Sequence, residues 1–595
     1  MRPTVSRTGK KWRYGTAAAA VLTLGVVSAC SSSSSTPVAA GSSAAAGSTS
    51  ASASTGGTLS FPRNETLYTS GSAYGPPVNW NPLDTGAFAT GTQGLIYEPL
   101  YLYDPVKGSY VPWLATGDEG SGWKGNTYVI NVRSGVKWSD GQAMTAADVA
   151  FSINLAVSNA ADPFSANVST VDKATASGNT VTVTFKGTPG YTDFTDYLWK
   201  APVLPQHIWS KIPANQIATD ANKNPVGTGP MTLDTANTQE VAYQTKPDWW
   251  GTAALGESFK FKYLVDVVNG SNSQELGQLN SGNIDWSNNY LPGINMLASA
   301  QGGNSGYSLK FFYANSPYML SGNTVWLEPN TTKAPMNNVN FRKALAAALN
   351  PAAIAQAVYG GIASPATPTG LLPTLKGFVD QSAVSQNATT YDPAKAKSLL
   401  AQSGYTGRTL TLEAPQGWSD WNSAQTVIAQ ELSAVGIKVQ VTEPSSNQRT
   451  ADLTNGSYDL ALDNNAGLDS SPYSYFQRVY QLPINKEQSA QLNWERYTSP
   501  ADWALVQKAA ATAPSDTATL NSIYSTLEKD FLQQQPEIPL WYNGIWFQGN
   551  TQYWSNFPSS TGNDQNIPAM WNGYIGAMTT VPALAQLTPT PQKAS

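Results

Sequence analysis

The chain has 595 residues and a mass of 63.2 kDa, too long for one compact core, so two or more lobes are expected. Charged residues make up only 12% of it, and removing the first thirty residues with their five cations leaves 29 basic against 39 acidic side chains. A net charge of −10 excludes a surface built to hold phosphate backbones, and one Cys (Cys30) with one His (His207) excludes a disulfide, a His-pair zinc site and most nucleophilic catalysis.

In chain order, residues 2–13 are basic and Ala17 to Val27 is an apolar run. That run is too short for a bilayer-spanning helix, which takes about 20 residues, but suits the core of an export signal. It ends in Val27-Ser28-Ala29-Cys30, which resembles the lipobox of bacterial lipoproteins. The resemblance implies cleavage after residue 29 and a diacylglyceryl group on the Cys30 thiol, placing the chain on the outer face of the cell membrane. Residues 30–56 are nearly all Ser, Ala, Thr and Gly beyond the Cys. Such a composition buries no core and reads as a flexible tether reaching about 25–30 Å. No other stretch is long and apolar enough to span a bilayer. The tail, 577–595, reads as disordered.

From Gly57 short strand-like and helix-like segments alternate. Thr127–Arg133 alternates like a half-buried strand, and the turn residues 135–141 follow it. Thr145 with Asp148 reads as a capping box opening a helix from Ala146 to Leu155. Val181–Phe185 is a strand, and Phe341–Leu349 is a helix with Phe341, Leu345, Ala348 and Leu349 on one side. Asp392-Pro393 starts another helix with Pro at its first position, where the missing N–H costs nothing. Leu410–Leu412, Ile437–Val441 and Leu460–Leu462 read as strands with a helix at Ala424–Val435, the order of a βαβ unit.

Several of these segments carry motifs. They are Leu95-Ile96-Tyr97-Glu98-Pro99-Leu100, then Val111-Pro112-Trp113-Leu114-Ala115, then Val136-Lys137-Trp138-Ser139-Asp140-Gly141 with Ala146-Ala147-Asp148-Val149. Further on come Leu204-Pro205-Gln206-His207-Ile208-Trp209, Gly227-Thr228-Gly229-Pro230 and Asn340-Phe341-Arg342-Lys343-Ala344-Leu345. In order and spacing the set resembles the peptide-type extracytoplasmic solute-binding proteins of ABC importers (family 5), from about Leu59 to Pro558. The resemblance implies an α/β, two-lobed periplasmic-binding-protein-like clamp of type II with an extra subdomain in lobe one. It would place lobe one at about 57–310, lobe two at about 311–532 and the return to lobe one at about 533–576. It also implies reversible capture of a small-molecule solute, delivery to a membrane ABC permease, a monomer, no cofactor, no metal and no catalysis. The alternative is an extracellular hydrolase or a sensory lipoprotein on the same fold.

In peptide-binding relatives an Asp in an Ala-Asp-Tyr triplet, after the strand that Tyr458–Leu462 matches, pairs with the peptide's α-ammonium. Here Gly467 follows the Ala, and Asp469 lies two residues on. Aromatic residues gather instead in Gln416–Trp421 and Pro539–Trp546. A flat indole accepts the C–H face of a sugar ring at low entropic cost. The candidate ligand-binding residues are therefore Trp418, Trp421, Asn464, Asn465, Asp469, Trp541, Asn543 and Trp546, for an oligosaccharide or an oligopeptide. Trp113, Trp138 and Trp209 are read as core, and His207 as structural.

Overall fold

The structure is a computed structural model, and it describes residues 61–70, 77–84, 88–299, 308–464, 467–484, 492–561, 565–568 and 578–591. Cys30, the export signal and the tether read from the sequence lie outside the described residues. The compact unit begins at Leu59.

Its first half is organised on a seven-stranded sheet. Strand Thr66–Ser70 lies between Tyr263–Val267 and Trp286–Ser287 and runs parallel to both. Glu240–Thr245 and Met231–Ala236 extend one edge in antiparallel fashion, and Gln548–Asn550 and Leu309–Lys310 extend the other. Ahead of these a separate antiparallel sheet carries Thr127–Val132, Thr180–Phe185 and Val171–Ser177. The alternation predicted for Thr127–Arg133 is present: Tyr128, Ile130 and Val132 are buried. Helix Ala146–Ser158 covers this sheet, and its capping box forms as expected. The Thr145 side chain accepts from the Ala147 N–H, and Asp148 Oδ2 accepts from the Thr145 N–H at 2.8 Å. Such a cap contributes about 1 kcal/mol.

The second half is organised on a six-stranded sheet in the order 364–365, Ile538–Gly544, Ser321–Pro329, Leu460–Asn464, Leu410–Glu413, Val439–Thr442. The last three strands are parallel, with helix Ser419–Ala434 as the crossover between two of them. Helix Val339–Ala348 buries Phe341, Leu345 and Ala348 against the same core.

Two boundaries differ from those expected. Ile538–Gly544 pairs with Ser321–Pro329 and belongs to the second sheet, so the chain returns to the first sheet after Gly544 rather than from 533. The two crossings, 311–320 and 545–547, run side by side, and the Ile545 N–H donates to the Leu320 carbonyl at 2.7 Å. The tail after Gly576 was expected to be disordered, but residues 578–591 are ordered. Helix Thr580–Ala585 buries Val581 and Leu584, Leu587 follows them into the core, and Thr588–Pro589 pairs with Trp554–Ser555. The Thr, Pro and Gln around these three aliphatic residues hid the apolar face.

Candidate functional site

Parallel strands leave a crevice beyond their carboxyl ends, where the flanking connections diverge. In the first sheet those ends are Ser70 and Ser287, and Tyr290 follows three residues on. In the second they are Glu413, Thr442 and Asn464, with Trp418 and Trp421 entering the helix after Glu413. Side chains from both crevices meet beside the paired crossings.

Six aromatic rings form a continuous array there. Trp418 meets Trp421 edge-on at 4.8 Å between centroids, and Trp421 meets Trp541 at 6.3 Å. Tyr359 lies 5.8 Å from Trp541 and stacks on Trp546 at 5.9 Å. Tyr290, from the first half, closes the array against Trp546 at 5.4 Å and Tyr359 at 5.2 Å. The predicted Trp418, Trp421, Trp541 and Trp546 are thus brought together, although 418 and 541 are far apart in sequence. Their exposure differs sharply. Trp418 is 38% exposed, whereas Trp421, Trp541 and Trp546 are buried. The sequence places Trp418 and Trp421 in a polar loop; the helix in fact begins at Ser419, so Trp418 is its N-cap and Trp421 lies in its first turn. Asp420 in that turn accepts a hydrogen bond from the Tyr359 hydroxyl at 2.8 Å. Burial raises the Asp420 pKa, and the bond from Tyr359 opposes that rise.

The polar candidates fall into two groups. In the ladder Asn464 stands opposite Val325, Val325 opposite Trp541, and Asn323 opposite Asn543. These residues therefore share one sheet face. Asn323 and Asn543 are buried, and neither carbonyl oxygen has a hydrogen-bond partner among the described residues. Asn465 lies outside the described residues. Asp469 does not join this group. Its segment reaches across to the helix Tyr191–Lys200 of the first half, where Lys200 Nζ approaches Asp469 Oδ2 at 3.5 Å and Asp196 Oδ2 at 2.8 Å. Burial opposes the charge on Lys200, but the two carboxylates outweigh it and its pKa is raised. Burial pushes Asp196 up to about 6, and the neighbouring Asp469 charge adds to the rise.

Elsewhere, Trp113, Trp138 and Trp209 are buried core residues, and His207 Nε2 meets Asp140 Oδ2 at 2.7 Å, tying its short helix to the preceding turn. Among the described residues one carboxylate cluster has metal-compatible spacing, Glu328, Glu495 and Glu537, with oxygens within 4.8 Å of one another. Burial, then the charge of Asp463, pushes Glu328 up to about 7, while Arg478 pulls against that rise. Arg478 also pairs with Asp463. No motif or spacing points to Tyr290, Tyr359 or Asn323, because strand register and chain crossings bring them in.

Comparison with known proteins agrees with this architecture. The family model for bacterial extracellular solute-binding proteins, family 5, matches residues 109–486. A crystal structure of a periplasmic oligopeptide-binding protein from Thermotoga maritima with bound mannohexaose superposes with a TM-score of 0.82. It is 32% identical, and the match covers 90% of this chain and all of that one. The SapA periplasmic-binding protein of Escherichia coli is 26% identical over 58% of this chain, and the glutathione-binding protein GsiB of Salmonella typhi 29% identical over 55%. In both cases the match spans 60% of the relative's length. The two-sheet clamp and this extent of similarity make the chain a member of the bacterial extracellular solute-binding proteins, family 5.

Proposed function

We propose that this chain is a lipid-anchored solute-binding protein that captures an oligosaccharide between its two halves and delivers it to an ABC permease for import. The observation that carries the sugar reading is the aromatic array at the crossings, with Trp418 as its exposed end and the amides of Asn323, Asn464 and Asn543 on one adjacent sheet face. Rings supply stacking and amides supply hydrogen bonds to hydroxyls, the chemistry a neutral pyranose chain requires. The bound mannohexaose of the Thermotoga relative points the same way. Oligopeptides are the second reading, favoured by the names of that relative and of GsiB. Against it, Asp469 is already paired with Lys200, so a peptide's α-ammonium would compete with an internal cation.

A solute that touches both halves only when they close stabilises the closed form by its differential affinity. Binding at micromolar strength corresponds to about 8 kcal/mol. Cys30 supplies the anchor in this reading, and two acyl chains on it suffice for stable attachment. Titrating the protein with β-linked gluco- and manno-oligosaccharides and with tri- to pentapeptides, following tryptophan emission, tests the proposal. Saturable response to an oligosaccharide, without product accumulating, is expected; response to peptides alone overturns the sugar reading. Cys30→Ser is expected to release the protein from the membrane fraction.

A further inference from the structure

One segment of the second half, 469–474, is fastened to the first half at five points. Tyr103 Oη donates to the Asp469 carbonyl at 3.0 Å, and Tyr110 Oη lies 2.8 Å from Ser470 Oγ. Tyr473 Oη donates to Asp193 Oδ1 at 2.7 Å, Ser474 Oγ reaches Asp196 Oδ2 at 3.3 Å, and Lys200 bridges Asp196 to Asp469. Asp469 and Asp196 are 3% and 4% exposed, and they come from opposite halves. This contact between the halves therefore sets two carboxylates in one poorly hydrated space. Like charges so placed repel strongly unless a cation lies between them. Among the described residues Lys200 is the one side chain that forms an ion pair with either. Its ammonium rests on Trp199 at 4.7 Å, and Trp199 in turn packs on Tyr103, so its position is held by the same aromatic residues that grip the segment. The Lys200 side chain keeps 30% exposure, while both carboxylates it meets are buried.

We propose that Lys200 is a specificity-determining residue: it is the built-in counter-ion of the closed clamp, so that closure at this point asks no positive charge of the solute. A solute carrying an ammonium here meets Lys200 as a rival, and a neutral one does not. Replacing the lysine transfers the requirement for a cation to the solute. This inference rests on the clamp itself and holds whether the solute is a sugar or a peptide.

The test compares wild type, Lys200→Met and Lys200→Arg with two matched pairs of probes. One pair is a glucosamine oligomer and its N-acetylated counterpart; the other is a tripeptide and the same tripeptide N-acetylated. Small-angle scattering with the neutral solute at saturation is recorded in parallel. In Lys200→Met, affinity for the neutral member of whichever pair binds is expected to fall about tenfold or more relative to the ammonium member. With the neutral solute bound, the envelope of Lys200→Met is expected to be larger than that of wild type, and Lys200→Arg to restore both readouts. An equal change for both members of a pair, or an unchanged envelope, overturns the proposal. Exclusive binding of the peptide pair by wild type would instead sink the sugar reading and leave Lys200 to be judged on the peptides.

Discussion

Glu98 shows how a single buried carboxyl group organises the aromatic core of the first half. Its Oε1 accepts from the indole N–H groups of Trp113 at 2.9 Å and Trp249 at 3.3 Å, and its Oε2 from that of Trp250 at 2.9 Å. Burial raises its pKa, and the indole donors partly offset that rise. Glu98→Ala leaves three indole donors without their acceptor, each worth about 1–3 kcal/mol. Urea unfolding is expected to show a loss of about 3 kcal/mol or more, with Glu98→Gln much milder; a loss under about 1 kcal/mol would contradict this role. The same contrast separates two neighbouring rings of the site. Trp421 is fully packed, so Trp421→Ala is expected to cost about 3–5 kcal/mol of stability. Trp418→Ala, at a partly exposed ring, is expected to cost about 0.5–1.5 kcal/mol through its edge-on contact with Trp421, well below Trp421→Ala, and to weaken oligosaccharide binding. Unaltered oligosaccharide affinity in Trp418→Ala would remove that ring from the site.

At the scale of elements, periodicity and caps carried most of the information in the sequence. Thr145 and Asp148 announced a helix whose capping box forms, and the apolar runs at 410, 439 and 460 are parallel strands of one sheet. The differences from the sequence pattern have physical causes. Helix Ser419–Ala434 opens without a side-chain cap, through a Gly-Trp-Ser-Asp stretch with the composition of a turn, so no sequence signal marks its first turn. The candidate site was legible as two aromatic clusters together with Asn464 and Asn543, which the ladder places on one sheet face. Tyr290 and Tyr359 complete it through contacts that neither periodicity nor spacing encodes, and Asp469 proved to bind Lys200 of the opposite half. The C-terminal helix offers the sharpest test at this scale. Val581, Leu584 and Leu587 are each almost fully buried, and burying such a side chain is worth about 1.5–3 kcal/mol. The Ile567 N–H also donates to Thr579 Oγ1 at 2.8 Å, joining this element to the preceding chain. Ending the chain after Gly576 is therefore expected to lower the melting temperature by several degrees, or about 5 °C. A truncated chain that melts with the full one would show that the element is dispensable.

The whole molecule concentrates buried carboxyl groups whose proton affinity is raised. Burial pushes Glu275 and Asp193 up to about 7, in each case against hydrogen bonds that favour the ionised form, and it does the same to Glu328. An acid whose folded pKa lies above its unfolded value binds more protons in the folded state. Its contribution to stability is complete below the unfolded pKa, near 4, and is lost as pH rises through the folded value near 7. The three groups lie in different parts of the molecule: Glu275 beside the first sheet, Asp193 on the helix that meets the 469–474 segment, Glu328 within the second sheet. Their effects on the common unfolding equilibrium therefore add, because they are too far apart to share partners. The solute-free protein is expected to melt at higher temperature at about pH 5.5 than at about pH 7.5, the reverse of a protein held together by ionised carboxylates. Calorimetry across that range checks the sign. Glu275→Gln, which keeps the neutral form at every pH, is expected to flatten the dependence by its own share, and a melting temperature that climbs steadily from about pH 5.5 to about pH 7.5 would show that these carboxyls are ionised in the folded state.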